Sequence, residues 1–536
     1  MTLGNVCSRQ FCMGGVGFLL VISGLMFGMF WTEIFTYMFG KEAALTPTSK
    51  TYDAWKTPPF PLSFDIYFFN WTNPEDLSNH STKPILQQLG PYRFTERPDK
   101  VDIVFHPENH TVSYRRKSDF WFDEEGSVGS LDDEVTILNA VAISAAAKSK
   151  YWGFLRQKGV DVGLTIYNQP LAVTKTVDEL LFTGYEDDMI TIARDMPSFF
   201  GDDVEVPFDR FGWFYTRNGS ADLTGTYNVF TGTDDIQKIG KIYEWNYKTH
   251  SGFFKDQCGQ INGSAGEFYP PNLQDVDTIS MFSADLCRSM DFDYEKSEEI
   301  DGILGYKYAA GARSVDNGTL YPENKCFCGD QCVPSGVMNI SSCRFGTPVF
   351  MSYPHFYGAD EFYVNQVEGL DPQKSKHEFY MTLEPNTGVP LEVAARLQVN
   401  MLVEEFPNIG LYKGVKKTFL PLLWFEQKVR IPSELASELQ IVPTVITIGH
   451  IAAGVVFAMG FIMLCWLPTE SYIRRRNVLK PTTAVHPSKA LHSQIKAIDP
   501  EHGVEMKRSP EISPLIEKSP AKMVATICDA NTAQKS

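Results

Sequence analysis

Three cysteines stand within seven residues at Cys326-Phe327-Cys328-Gly329-Asp330-Gln331-Cys332, and Cys343 follows eleven residues later. Thiols at this density either hold a metal such as zinc in a reducing compartment or form disulfides in an oxidising one. A zinc site draws on paired CxxC-type spacings or on nearby histidines, and neither adjoins this cluster. The chemistry therefore depends on the compartment, and the compartment depends on where the chain crosses a membrane.

From Gln10 to Thr32 the chain carries no charged residue. At 1.5 Å per helical residue, such a run is long enough to cross roughly 30 Å of hydrocarbon. It exceeds the apolar core of a cleaved signal peptide, about 7–15 residues, and lacks a small-residue cleavage site, so it reads as an uncleaved anchor. A second charge-free run, 439–469, is followed by Arg474-Arg475-Arg476, a basic triplet that marks the cytoplasmic side. His450 lies near its middle and is assigned no function. The expected organisation is a cytosolic stretch at 1–9, spans at 10–32 and 439–469, an ectodomain at 33–438, and a cytosolic tail at 470–536.

All seven Asn-X-Ser/Thr sequons, at Asn70, Asn79, Asn109, Asn218, Asn262, Asn317 and Asn339, fall between the spans. That pattern makes the intervening segment extracellular or luminal, with both termini in the cytosol. Six of the ten cysteines share the segment: Cys258, Cys287, Cys326, Cys328, Cys332 and Cys343. An even number in an oxidising compartment reads as three disulfides, without a metal, although six cysteines admit fifteen pairings. Cys7, Cys12 and Cys465 lie beside the membrane, where S-palmitoylation acts, and Cys528 lies near the C-terminus.

Much of the ectodomain carries strand and turn signals. Val101–Phe105 and Thr111–Tyr114 flank a turn bearing Asn109, and Phe379, Met381 and Leu383 alternate before the turn Asn386-Thr387-Gly388. Leu397, Val399, Met401 and Val403 alternate again, the pattern of a half-buried strand. The Ala-rich stretch Asp133 to Lys150 reads as a helix with Leu138, Val141, Ala142 and Ala145 on one face. Thr176-Val177-Asp178-Glu179 forms a capping box before a short helix that Gly184 can end, and a further helical turn runs from Met189 to Met196 and stops at Pro197. A helical cluster at about 133–197 set into a β-rich body is the expected architecture: α+β, with two flanking membrane helices.

The formal net charge of -17 argues against nucleic-acid binding, which needs clustered cations. The chain has no Gly-rich phosphate loop, no HExxH and no GxSxG, so neither an enzyme nor a cofactor is expected. A two-span ligand-gated channel shares the layout, yet the second span offers only Thr444, Thr447 and His450 as polar lining and no acidic ring for cation selection. An ectoenzyme is the third class, without a motif to support it.

Ordered motifs across roughly residues 10–470 carry a further reading: "NWTNPEDL" at 70–77, "LGPYRFTE" at 89–96, "FSADLCRS" at 282–289, "CFC" at 326–328, "GTPVFMSYPHF" at 346–356, "LEPNTGVPL" at 383–391 and "RLQVNMLV" at 396–403. With the two spans, they make the chain resemble the class B scavenger receptors, the family of fatty-acid translocase, the lysosomal integral membrane proteins and the insect sensory-neuron membrane proteins. The resemblance implies a β-barrel-like ectodomain with an apical helical bundle and an internal tunnel that carries fatty acids, sterols or other lipids toward the membrane. It implies that lipoprotein or protein ligands dock at the apex, where Lys148, Lys150, Arg156 and Lys158 are candidates for a basic patch and Asp161, Glu186, Asp187 and Asp188 are nearby acids. It also implies the pairs Cys258–Cys326, Cys287–Cys343 and Cys328–Cys332.

The tail, poor in aromatics and rich in Lys, Pro and Ser, is expected to be disordered. Within it, Glu511-Ile512-Ser513-Pro514-Leu515-Ile516 fits the acidic dileucine pattern read by clathrin adaptors, through Glu511, Leu515 and Ile516. Ser509, Ser513 and Ser519 each precede Pro, and phosphate at Ser513 would add charge inside the motif. Endocytosis and traffic between the plasma membrane and endosomes or lysosomes are the expected consequence.

Overall fold

A computed structural model describes residues 3–79, 81–195, 208–274, 276–329 and 332–478. The tail beyond 478, including Glu511, Leu515, Ile516 and Cys528, lies outside the described residues, as do residues 196–207, so the expected stop at Pro197 falls outside them while the helical turn before it is described.

The long charge-free runs form the cores of two terminal helices, α1 (Leu3–Ala43), which the short α2 (Lys50–Lys56) follows, and, at the other end, α7 (Ile441–Val478). α1 outruns its charge-free segment at both ends, and α7 outruns its own at the C-terminal end. Both are long and apolar enough to cross a membrane. They meet along a face where glycines let the backbones approach: a Cβ on Gly24 would stand 2.5 Å from the Phe457 nitrogen, and one on Gly460 2.7 Å from the Gly17 carbonyl. The Trp31 indole fills the notch left by Gly449 and donates its Nε1–H to the Ile446 carbonyl at 3.0 Å. His450 contacts Thr32 Oγ1 at 3.4 Å.

Between the helices lies a large antiparallel sheet. In spatial order its strands are Thr278–Ser283, Arg288–Ile300, Ile303–Ala309, Tyr380–Leu383, Pro390–Val403, Thr418–Arg430, Leu62–Trp71, Leu86–His106, Thr111–Phe122, Thr226–Phe230 and Ile242–Trp245. Val349–Ser352 and Met338–Asn339 branch from Pro390–Val403. The two free edges are stitched by one segment, since Ser264 bridges both Lys241 and Met281 and thereby nearly closes the sheet on itself. Ile242 N–H donates to Gly263, and Ser264 N–H to Ser280, at 2.9 and 2.8 Å.

The expected hairpin around Asn109 is present, in strands much longer than the alternating cores suggested. The run 397–403 differs from expectation. Arg396 through Met401 are all buried, polar Gln398 and Asn400 included, because the strand is covered on both sides. Those amides are satisfied internally: Gln398 donates to the Asn400 side chain at 2.7 Å, and Asn400 to the Phe350 carbonyl at 3.1 Å. A strand buried on both faces carries no reliable alternation.

The Ala-rich stretch needs a second correction. Glu134–Leu138 is a strand paired with Ala172–Thr176, and helix α3 starts only at Ala140 (Ala140–Ser149). Asn139 is the switch: its side-chain Oδ1 accepts from Val141 and Ala142 N–H at 3.1 and 3.0 Å, while the β-branched residues before it extend. The cluster at 133–197 is therefore a two-stranded ribbon with helices α3, α4 (Phe154–Ile166), α5 (Val177–Leu181) and α6 (Asp188–Asp195). The capping box of α5 forms as written, Thr176 and Glu179 each closing on the other's backbone N–H.

Disulfides pair Cys258 with Cys326, Cys287 with Cys343, and Cys328 with Cys332, the pairs that the resemblance implies. Two of them bind the sheet-closing region to the segment after Ile303–Ala309.

Candidate functional site

Helix α4 has one buried ridge, Gln157, Val160 and Leu164, which sets it on α3. Its other sides stay apolar in water: Phe154 is 60%, Leu155 83%, Val162 52% and Ile166 66% exposed, and Tyr151 just before it 80%. Scattered exposed apolar residues are ordinary, but five on one helix and its lead-in make a patch. Beside it, the end of α4 and Gly410-Leu411 border a groove of 370 Å³ lined by Leu164, Thr165, Asn168 and Gln169.

The groove wall is pinned electrostatically. Asp161 accepts the Gly410 N–H at 2.6 Å and pairs with Lys158 at 2.9 Å. Partial burial favours its neutral form, but those two contacts outweigh burial and hold the carboxyl below its usual value. Asn408 donates to Gln157 at 2.6 Å, a second tie between the 404–411 segment and α4.

The four candidate docking cations separate here. Lys150 pairs with Glu404 at 2.5 Å and Lys158 with Asp161, so both charges are compensated within the fold. Lys148 and Arg156 have no ion pair among the described residues, and Arg156 is exposed. Of the acids, Glu186 pairs with Arg210 at 2.7 Å, and Asp187 caps α6 by accepting the Met189 N–H at 2.8 Å. Sequence reasoning looked for charge at the apex and missed the apolar face. Its signal was available: Phe154, Leu155, Val162 and Ile166 are too many for one buried stripe.

The whole-chain comparisons agree with this architecture. A family model described as the CD36 family matches residues 15–470. The chain belongs to the CD36 family. It is 44% identical over 479 residues to Protein peste of Drosophila melanogaster, covering 88% of this chain and 85% of that protein. It is 33% identical to Lysosome membrane protein 2 of Homo sapiens, over 79% and 87% of the two chains. It is 30% identical to Scavenger receptor class B member 1 of Rattus norvegicus, over 84% and 87%. Membership of this family makes the CD36-type chain a membrane receptor whose nearly closed sheet is its ectodomain.

The remaining candidates are distributed as follows. Cys12 and Cys465 are free and exposed on α1 and α7. They lie toward the same end of the helix pair, where Gly14 faces Leu467. Asn79, Asn109, Asn218 and Asn262 are exposed, whereas Asn70, Asn317 and Asn339 are half-buried.

Proposed function

We propose that this chain captures lipids, or particles and proteins that carry them, on the apolar face of α4, and passes lipid through the ectodomain toward the membrane. The observation that carries the reading is the patch Tyr151, Phe154, Leu155, Val162 and Ile166 beside the 370 Å³ groove. An exposed apolar helix face suits a lipid-bearing ligand, and Lys148 and Arg156, without an ion pair among the described residues, add attraction for an anionic one. Relatives named as a scavenger receptor and as a lysosome membrane protein are in keeping with a receptor at these membranes, and fatty acids, sterols or lipoproteins are the cargo this reading assigns.

The same reading puts both termini in the cytosol and the protein at the plasma membrane and in endosomes or lysosomes. Glu511, Leu515 and Ile516 then recruit clathrin adaptors, and Cys7, Cys12 and Cys465 are acylation sites. Replacing Phe154 and Leu155 together by Asp tests the apex: ligand capture at the cell surface falls while surface expression holds. Capture equal to the parent protein at equal expression would remove the apex from the mechanism.

A further inference from the structure

The described residues bury four lysine and arginine side chains, Lys100, Arg288, Lys307 and Arg396. Three of them have carboxylates. Lys100 shares Glu267 with its cross-strand neighbour Arg116, at 3.4 and 2.8 Å. Lys307 lies 2.5 Å from Glu378, and Arg396 lies 2.6 Å from Glu426. Arg288, only 4% exposed, has no carboxylate within ion-pair distance among the described residues. It donates to two backbone carbonyls, from Nε to Ser289 at 3.4 Å and from Nη2 to Ser314 at 3.1 Å, and its Nη1 reaches no acceptor among the described residues.

An aromatic face meets part of this charge. The guanidinium carbon lies 3.3 Å from the centre of the Phe327 ring, which Phe254 holds edge-on at 5.2 Å. Such a contact offsets only a fraction of what a cation loses on leaving water. Burial accordingly pulls the Arg288 guanidinium down to about 9, against the weaker pull of Tyr353 and Asp291, and at neutral pH it stays charged.

Beside this cation there is space. Arg288, Phe327 and Cys328 border a cavity of 20 Å³, with Asp316, Asn317 and Asn339 as its other polar neighbours. That volume exceeds the roughly 10–15 Å³ that one water needs and falls far below the roughly 300 Å³ of a small-molecule site. The occupant is therefore monatomic or nearly so.

The wall selects its charge. Asp316 already accepts the Gly318 and Tyr321 N–H groups at 2.8 and 3.0 Å and the Ser335 hydroxyl at 2.9 Å. Burial opposes its ionisation, but those donors outweigh burial and hold the carboxyl below its usual value, so its charge is met inside its own turn. Asn317 Oδ1 accepts the Thr319 N–H at 3.2 Å, and Asn339 Oδ1 accepts the Ser341 N–H at 3.0 Å. With the side-chain acceptors engaged, a water would find a donor in Arg288 but little to receive its own hydrogens. A cation would meet the guanidinium. A small anion needs only donors and positive charge, and Arg288 supplies both.

We propose that this cavity binds one monatomic anion, chloride, held by Arg288, and that the ion ties the disulfide-bonded Cys326 and Cys328 to the start of strand Arg288–Ile300. Chloride is the abundant ion of this class in extracellular and luminal fluids.

The test is thermal unfolding of the full-length glycosylated protein in detergent, at one scan rate and constant ionic strength, as chloride replaces gluconate, an anion too large for the cavity. The midpoint should rise saturably, by about 2 °C at tenfold excess over the dissociation constant. Arg288→Met should lose the response, and bromide diffused into crystals of the native protein should give an anomalous peak within hydrogen-bond distance of Arg288. Equal midpoints in chloride and gluconate would overturn the site without any variant having to fold. A rise that never saturates, or that persists in Arg288→Met, would mark a general salt effect and overturn it as well, as would bromide found only elsewhere. A chloride response confined to Asp330→Asn would assign the counter-charge to Asp330, which lies outside the described residues, and would likewise overturn the proposal.

Discussion

The imidazoles of His355 and His377 stack face to face, with ring centroids 4.3 Å apart and planes 11° from parallel. Each Nδ1 accepts a backbone N–H, from Asp371 at 3.0 Å and from Gln373 at 2.9 Å. The proton of each neutral ring therefore sits on Nε2, and that of His355 is donated to Gln88 Oε1 at 2.7 Å. The same oxygen accepts the Trp424 indole N–H at 2.8 Å. Protonating either ring at Nδ1 would break a backbone contact and charge a buried stack.

A pH dependence follows. Burial, opposed by Asp371 and helped by Lys376, lowers His355 to about 4. Burial, then the neighbouring His355, Arg396 and Lys376, lower His377 to about 3. The unfolded chain takes up these protons near pH 6.5, before the native state does, so stability falls as pH drops below about 6.5 and the loss is complete near pH 3–4. The limiting slope is about 1.4 kcal/mol per pH unit for each ring. Thermal unfolding from pH 8 to pH 4 should show this slope, reduced in His377→Gln. An identical slope in that variant would assign it to other groups.

Glycan occupancy should divide the sequons by geometry. Asn317 spends its Nδ2, the atom a glycan would use, on the Val333 carbonyl at 2.7 Å. Asn109 and Asn262 are exposed in loops. Site-resolved mass spectrometry of the mature protein should find Asn109 and Asn262 occupied and Asn317 bare. Full occupancy at Asn317 would mean that the segment around it differs from this arrangement.

The two membrane helices should act as a unit. Gly24→Leu places a side chain where the Phe457 backbone already stands, so the helices must separate. Cysteines introduced at facing positions of α1 and α7 should cross-link in the parent protein and lose that cross-link in Gly24→Leu. Gly15→Leu, at a position open to space, is the control that keeps it.

Loss of Cys287→Ser should be severe. Its bond to Cys343 joins the segment before Arg288–Ile300 to a turn 56 residues later, beside the buried aromatic cluster of Trp55 and Phe282. Removing such a link from a secreted-type domain costs about 2–5 kcal/mol. The variant should remain sensitive to endoglycosidase H, the mark of retention in the endoplasmic reticulum, and normal maturation would contradict this.

Local chemistry was legible in the sequence, and convergence was not. Thr176 and Glu179 announce their capping box because both partners lie within one turn. The spans announce themselves by length alone. Asn139 misled because the Ala-rich composition on its C-terminal side masks the strand on its other side. The meeting of Lys100, Arg116 and Glu267 could not be read at all: Arg116 and Glu267 are 151 residues apart, and only the closure of the sheet at Ser264 brings them together. The apolar face of α4 lay between these cases, visible as an excess of large residues but not as a surface.

The central claim is lipid handling, and uptake tests it most directly. Cells expressing the protein, and control cells, are given labelled oleate or labelled sterol, with surface expression measured by antibody. Uptake of at least one of the two should be faster than in controls, and reduced when Phe154 and Leu155 are both replaced by Asp. Uptake of both at the control rate, with the protein present at the surface, would contradict it.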